Sequence, residues 1–585
     1  MPTTNADIAA AFDQMADLLD LRNANPFRVR AYRNASRIIG GLKIDLAALV
    51  GANEALPKLP GIGADLEEKI RQLARTGHMR ELDRLRTQVP PGVTELLRLP
   101  GLGPKRVRAL SDQLHAYSPA ELLRAARDER IRELRGFGAA SEKKIADAIQ
   151  AHLSKKPRVK LAVAAQYAEA LCAYLRKAPG VIQVAPAGSL RRARETVGDI
   201  DLLATAADGA AVVRYFTAYG DTERVLAAGD TRASIVLKAG LQVDLRVVPA
   251  ASYGAALLYF TGSKAHNIRL RNLALAADLK LNEYGLFRSE RSRGRRAAAL
   301  VPVAGATEES VYAALGLPWI APELREDRGE IEAARKGELP SLVERASLQG
   351  DLHAHTRWSD GTATIEQMAE AARAHGLTYL AISEHSRRLA VARGLDPARL
   401  RQQGAEIERV NAGLRGITLL AGIECDVLDD GTLDLPDSAL ARLDVVIAAV
   451  HSKFDLPRAK QTARILAALD NPHVRILAHP LGRLIDVREP YAVDMLAVIR
   501  KCSARGIALE LNAHPERLDL LDVYCRMAKD EGALVSINSD AHSVHEFDNL
   551  IHGVSQARRG WLEPSDVINT RSLPELRVWL RAKRD

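Results

Sequence analysis

Gly188-Ser189-Leu190-Arg191-Arg192-Ala193-Arg194-Glu195-Thr196-Val197-Gly198-Asp199-Ile200-Asp201-Leu202-Leu203 is the stretch on which the reading of this 585-residue chain turns. A Gly-Ser turn follows the apolar run Val181 to Ala185, two arginines follow the turn, and two aspartates stand one residue apart inside an apolar segment. In a strand, residues i and i+2 share a face about 6 to 7 Å apart, so Asp199 and Asp201 point the same way. The run Leu241-Gln242-Val243-Asp244-Leu245-Arg246-Val247-Val248 alternates in the same manner and brings a third carboxylate, Asp244. Three strand-borne aspartates beside a Gly-Ser turn and two arginines suit two-metal phosphoryl transfer, in which cations hold both the attacking and the leaving oxygens. A lone Asp-x-Asp reads equally well as a solvated strand edge, so the decision rests on the neighbouring motifs.

Outward from this stretch, Leu257-Leu258-Tyr259-Phe260-Thr261-Gly262-Ser263-Lys264-Ala265-His266-Asn267 follows the third aspartate. The order GSLRR, GDIDLL, VDLRVV and LYFTGSKAHN resembles the palm of the family-X DNA polymerases, the polymerase β-like nucleotidyltransferases. That resemblance implies that Asp199, Asp201 and Asp244 hold Mg2+ or Mn2+, with Asp244 nearest the primer 3′-hydroxyl. It implies deoxynucleoside triphosphates as substrates, contacted by Gly188, Ser189 and Arg192. Tyr259 and Phe260 would lie against the nucleotide sugar and discourage a 2′-hydroxyl, and Gly262 would belong to the same nucleotide-binding segment. Asn267 would read the minor-groove edge and Arg271 would approach the template. Lys264 and Ile268 depart from the vertebrate pattern next to the nascent pair. Leu279 to Leu286 and Glu309 to Pro318 resemble the polymerase thumb, and the arginine-rich Arg288 to Arg296 between them reads as a solvated loop able to touch phosphate.

Upstream, residues 1 to about 155 carry helical periodicity, with Ile8, Phe12, Met15, Leu18 and Leu19 at helical spacing. Three related punctuations interrupt it: Leu59-Pro60-Gly61-Ile62-Gly63, Leu99-Pro100-Gly101-Leu102-Gly103 and Leu134-Arg135-Gly136-Phe137-Gly138. Such glycines permit a tight turn and let a phosphate approach the backbone N–H groups of the following helix. A single G-x-G between helices is usually only a turn; three copies resemble the helix-hairpin-helix, a sequence-independent grip on DNA backbone that would use Gly61, Gly63, Gly101, Gly103, Lys105, Gly136 and Gly138. The first copy, with Asn25 to Tyr32, also resembles the small N-terminal domain of polymerase β. Lys69 stands there in the place of a Schiff-base lyase lysine. Glu67 and Glu68 flank it, Asp65 replaces a lysine and Phe27 replaces a histidine of the phosphate pocket, while Arg28 could still hold a 5′-phosphate.

The C-terminal third alternates apolar strand-like runs with helical patterns, and the runs end in potential metal ligands: His353 and His355, Glu384-His385, Glu424, His451, His479, then Asp540 and His542. Such alternation argues for a parallel sheet or barrel with function at the C-terminal strand ends. Mixed imidazole and carboxylate ligands suit zinc, manganese or iron better than magnesium. His-Ala-His-Thr, Glu-His-Ser, Gly-Ile-Glu, Val-His-Ser, Ala-His-Pro and Ser-Asp-Ala-His resemble the polymerase and histidinol phosphatase (PHP) domain, a distorted (β/α)7 barrel with a phosphoesterase site of two to three metals. The resemblance implies His353, His355, Asp360, His385, Glu424, His451, His479, Asp540 and His542 as ligands. Glu384, where an aspartate is common, is left behind the ligands.

The formal charge of +9 favours an anionic partner. Four scattered cysteines form no C-x-x-C pair and fit a reducing compartment. Neither a signal peptide nor an apolar run of about 20 residues is evident, so a cytoplasmic, nucleoid-associated monomer without a membrane is expected. The fold class expected is multidomain α+β and α/β: a polymerase β-like helical domain (1–85), fingers with helix-hairpin-helix (86–155), palm (156–250), thumb (251–335), linker (336–348) and PHP domain (349–575). Together they resemble the bacterial and archaeal family-X DNA polymerases. That implies filling of gapped, nicked or recessed DNA in repair, including gaps with a 5′-phosphate, coupled to 3′-5′ exonuclease or 3′-end processing, with repair proteins as further partners. Two other classes compete: a PHP small-molecule phosphatase carrying a degenerate polymerase module, and a non-catalytic DNA-end scaffold.

Overall fold

The computed structural model describes residues 5–40, 42, 46–59, 61–89, 92–97, 99, 102–154, 158–288 and 302–582. Gly101 and the arginine-rich segment beyond Arg288 lie outside them. The chain divides into two compact units, one of Met1–Lys156, Glu344–Val554 and Pro564–Asp585, the other of Pro157–Val343 and Ser555–Glu563.

In the first unit the N-terminal region is helical. Asn5–Leu21, Pro26–Gly40, Leu46–Gly51, Ala64–Thr76 and Arg80–Arg86 share one core around Phe12, Tyr32, Ile39 and Ile70. Val93–Leu96, Pro104–Leu114, Pro119–Arg127 and Ala139–Ser154 share another around Leu96, Val107, Leu110 and Leu122. The described residues of the three punctuations share one hydrogen bond: Ile62 N donates to Leu59 O (3.1 Å), Leu102 N to Leu99 O (3.0 Å) and Phe137 N to Leu134 O (3.0 Å). A helix starts two residues after each. Gly61 and Gly136 adopt φ of 71° and 89°, which a side chain would strain.

The rest of this unit contains a parallel seven-stranded sheet whose strands run in chain order: Gly350–Asp351, Tyr379–Ile382, Thr418–Asp426, Val445–Ala449, Val474–Leu477, Ala508–Asn512 and Val535–Asn538. Helices such as Ile365–Ala374, Pro397–Gly413 and Met495–Arg505 connect them, as parallel strands require. A parallel bridge between Ala354 and Ala541, with His355 N donating to Ala541 O (2.8 Å), nearly closes the sheet into a barrel. Strand residues such as Val445 to Ala449 are buried throughout, which explains their uninterrupted apolar reading.

The second unit is built on a five-stranded sheet in the order Val181–Pro186, Asp199–Ala206, Gln242–Val248, Arg232–Leu237, Thr222–Ala228. The two aspartate strands are parallel neighbours and the other pairs are antiparallel. The Gly-Ser turn opens a one-turn helix, Gly188–Arg191. Helices Tyr253–Thr261 and Lys264–Ala276 follow, the second capped by Ser263 Oγ accepting from His266 N (3.1 Å). A second core gathers Leu258, Leu270, Tyr312, Ile320 and Leu324, and Trp561 joins it from the end of the chain. The polar segment 336–348 divides at Val343, which is buried in this unit and donates its N–H to Leu562 O (2.9 Å).

Candidate metal centres and nucleic-acid contacts

Strand register sets the geometry of the three aspartates. Asp201 lies directly beside Asp244 on the parallel neighbour, and Asp199 precedes it on the same face. Burial, and then the charges of Asp199 and Asp244, push the Asp201 carboxyl up to about 7. Three acids crowded and buried so that one is held far above the ordinary carboxylate range are a donor set that a divalent cation relieves. Gln242 Nε2 donates to Asp244 Oδ2 (2.9 Å) and Ser234 Oγ donates to Asp244 Oδ1. Gly188 closes the back of the site: with φ of 62°, a Cβ there would meet Asp201 Oδ2 at 2.1 Å.

The two arginines after that turn diverge. Arg191 is committed to a buried ion cluster, donating to Glu308 through both terminal nitrogens (2.7 and 2.8 Å), and the fully buried Arg325 grips the same carboxylate. These guanidinium bonds outweigh burial and hold Glu308 low, at about 2. Arg192 instead donates to Thr261 O (2.6 Å) and to Glu326 Oε1 (3.0 Å). Tyr259 and Phe260 meet edge to face at 5.2 Å, with Arg246 over Phe260. Asn267 turns its amide nitrogen inward, to Tyr259 O (2.6 Å) and Gly262 O (3.2 Å), leaving Oδ1 without a partner. A Cβ on Gly262 would lie 2.5 Å from that Oδ1. Arg271 Nε reaches back to Asn267 O (3.4 Å).

In the N-terminal region Lys69 is largely buried between Asp65 and Glu81. Burial works against its ammonium, but the Asp65 carboxylate and the Tyr32 hydroxyl outweigh it and raise the pKa. A Schiff-base nucleophile needs the opposite shift. Arg28 is paired with Glu81, and Phe27 is 75 % exposed under the Arg30 guanidinium. Gly63 and Gly103 each cap the helix that follows them, and Lys105 is exposed on the first turn of the second.

At the C-terminal ends of the barrel strands all nine expected ligands converge. His353, His355 and Asp540 form one group able to hold an ion, His355, Asp360, His385 and His542 a second, and His385, Glu424 and His451 a third. Glu424 is the hub: His451 Nε2 lies 3.1 Å and His479 Nε2 2.9 Å from Oε1, and His385 Nδ1 2.6 Å from Oε2. Asp360 stands 3.5 Å from both His385 Nε2 and His542 Nε2. Burial, then the neighbouring His542 and His385, drops His355 to about 3, so its imidazole is a neutral donor. His353 Nε2, both His355 nitrogens and His479 Nδ1 are buried without hydrogen-bond partners, and His385 Nδ1 and Glu424 Oε2, though close, meet without hydrogen-bond geometry. Orphaned donor atoms of this kind, aimed at common points, fit divalent cations. Glu384 does not join the cluster; it is fully buried and accepts from Thr356 N (3.0 Å), the Thr356 and Ser359 hydroxyls and Gln403 Nε2 (3.2 Å), fixing the loop that carries Asp360.

Motif reading missed the residues behind the ligands. Glu510 accepts from His353 Nδ1 (2.6 Å), His479 N (2.8 Å) and Asn538 Nδ2 (2.9 Å). Asn512 bonds Asp540 Oδ2 (3.0 Å), Asp351 accepts from His353 N (3.1 Å), and Asp426 lies 3.3 Å from His451 Nδ1. A carboxylate on the far nitrogen fixes the tautomer of a metal-bound imidazole. The available signal was the polar pair Glu510 and Asn512, two residues apart in the otherwise apolar Ala508–Asn512.

Comparison with known proteins covers nearly all of these regions. Residues 3–79 match a helix-hairpin-helix domain, 93–151 a SAM-like helix-hairpin-helix tandem, 256–326 the DNA polymerase beta thumb and 351–514 the PHP domain. The DNA polymerase/3'-5' exonuclease PolX of Bacillus subtilis is 37 % identical over 98 % of this chain and 99 % of its own length. DNA polymerase lambda of Rattus norvegicus is 28 % identical over 46 % of this chain and 48 % of its own, and a probable phosphatase of Acetivibrio thermocellus 25 % over 40 % and 96 %.

Proposed function

As this chain belongs to the PolX family, family-X DNA polymerases with a C-terminal PHP domain, we propose that it fills short gaps in DNA through Asp199, Asp201 and Asp244 and trims 3′ ends through the PHP cluster. The chain is a DNA polymerase with a 3′-5′ exonuclease. The observation that carries the assignment of residues is the presence of two complete and chemically different metal-ligand sets on one chain.

At the palm, divalent cations, Mg2+ or Mn2+, supply Lewis-acid stabilisation of the triphosphate and of the primer oxygen. The side-by-side register of Asp201 and Asp244 sets the spacing for two such ions, and Ser234 with Gln242 keeps Asp244 turned toward the primer end. Gly188 brings backbone close to Asp201, and Arg192 is the arginine left to meet phosphate once Arg191 is committed to Glu308. Tyr259 and Phe260 close against the sugar. Asn267 supports the Tyr259–Gly262 turn through its amide nitrogen, so the minor-groove contact expected of it falls to Oδ1, the acceptor left without a partner.

The PHP residues would hold two or three ions, Mn2+, Zn2+ or Fe, which would supply Lewis-acid activation of water. His353, His355 and Asp540, with Glu424 bridging to His385, His451 and His479, hold the ions, and Glu384 holds the Asp360 loop against them. The hairpin turns grip the DNA backbone through amide N–H groups beside Gly63, Gly103 and Gly138, with gapped or recessed ends, including 5′-phosphate gaps, as ligands. Lys69 serves as a structural cation rather than a lyase nucleophile.

The test uses a 5′-labelled primer in a one-nucleotide gap with manganese, with and without deoxynucleotides. Extension lost only in Asp244→Ala and shortening lost only in His355→Ala would support two independent sites; an unchanged primer in every lane would overturn the reading. A second reading of the PHP site, hydrolysis of terminal phosphomonoesters, is favoured by its likeness to the probable phosphatase, and a 3′-phosphate primer tests it directly.

A further inference from the structure

The segment Ser555–Glu563 follows every PHP ligand in the chain yet groups with the polymerase-like unit. Its attachments there are specific. Trp561 is buried in the core with Tyr312 and Leu324, Glu563 Oε1 accepts from Ser341 N (2.9 Å), and Arg558 Nε donates to Glu323 Oε1 (2.6 Å). Arg559, its side chain 2 % exposed, donates from Nη1 to Glu326 Oε1 (2.9 Å) and to the main-chain oxygen of Arg192 (2.7 Å).

Glu326 Oε1 is the same oxygen that takes the Arg192 Nε–H, and Arg194 Nη1 stands 3.9 Å from it. One carboxylate among three guanidiniums leaves a net charge of +2. Alone with Arg192, Glu326 would neutralise it and bid for its remaining donors. Arg559 takes a share of that carboxylate and pins the backbone just past the Gly188–Arg191 turn. The bonds of Arg192 go through Nε and Nη1, so among the described residues no hydrogen bond claims Nη2.

We propose that Arg559 is a positioning residue of the polymerase site, holding Glu326 and the Arg192 main chain so that Arg192 presents a charged guanidinium edge to the triphosphate of the incoming nucleotide. This rests on the reading of Arg192 as a triphosphate contact. Arg559 is buried and reaches Glu326 and the Arg192 main chain.

The experiment is steady-state gap filling by the full chain. Arg559→Gln is expected to raise the KM for deoxynucleotide about tenfold, the scale of a weakened charge-assisted contact, with kcat within about twofold and gapped-DNA affinity unchanged; Arg559→Lys recovers part of the loss. Because Arg559 works in part through Glu326, the effect of Arg559→Gln is expected to be smaller in a Glu326→Gln background, and a raised KM in Glu326→Gln alone carries the test if Arg559→Gln folds poorly. An unchanged KM in Arg559→Gln, a loss confined to kcat, or full additivity with Glu326→Gln overturns the inference. Arg192→Gln separates it from its premise: a raised KM there with no effect at Arg559 refutes only the positioning role, whereas an unchanged KM in Arg192→Gln refutes the reading of Arg192 and the inference with it.

Discussion

The proposed palm and the PHP cluster both gather candidate metal ligands at strands, but they are completed in different ways. The palm offers three carboxylates and no imidazole on two adjacent strands, and burial, then the charges of the other two, keeps one near its titration point at neutral pH. Such a site holds cations well only when phosphate oxygens arrive with them. The PHP cluster offers six imidazoles and three carboxylates, mostly buried, with Glu510, Asn512, Asp351 and Asp426 tied behind them. It is equipped to hold its ions before substrate. On the proposed reading, one site is completed by the phosphate oxygens of the reaction and the other by the chain itself.

The largest expected effect breaks the comparison into halves. Asp244→Asn should lower nucleotide incorporation on the order of 10^4-fold, as removal of one part of a catalytic unit does, while 3′ trimming persists; His355→Ala should do the converse, and single-turnover assays on one labelled primer read both. Next comes what supports each site. Glu308 stabilises the polymerase-like unit through Arg191 and Arg325 in its ionised form, so Glu308→Gln is expected to cost about 3 kcal/mol in urea unfolding at pH 7. Its folded-state pKa is depressed to about 2, so this contribution is present above the ordinary glutamate range near 4.5 and is lost as pH falls through about 2; the difference from wild type should narrow over that window.

Glu510→Gln should weaken metal binding at the PHP site about 10- to 100-fold, read by competition with a chromogenic chelator, and leave gap filling intact. Equal metal retention by the variant would show that the ligands hold without their support. Brief dialysis against a chelator followed by metal analysis should strip the palm and leave PHP ions behind; complete loss from both would erase the proposed contrast. The smallest effect is expected outside both sites, where Lys69→Ala should leave borohydride trapping on abasic DNA unchanged.

Much of this was legible in the sequence because metal sites demand particular donor types at particular strand positions. His353 with His355, and Asp540 with His542, could be read because i, i+2 donors at a strand end have few other uses. The strand Ala508–Asn512 ends in no ligand, so its Glu510 resembled any polar residue in an apolar run. Spacing could not decide between Arg191 and Arg192, since the Glu308 that captures one of them lies 117 residues away. Asn267 has the identity that the resemblance asks for, but only packing shows that its amide donors face the Tyr259 helix end. Arg559 lies 367 residues from Arg192, and local pattern has no means of joining them.

The near-closure of the barrel has a consequence for the order of assembly. Neighbouring strands follow one another in the chain and can pair as they are made, whereas the seam joins Leu352 to Asn538 across 186 residues. That seam brings His353 and His355 to Asp540 and His542. Long loops close late because their entropy is lost before their contacts form. A chain still in synthesis, or cut short before Ser539, therefore has the first histidines without the last pair. The nuclease centre comes into being only when the barrel is finished, so the DNA-degrading activity is gated by completion of its own fold.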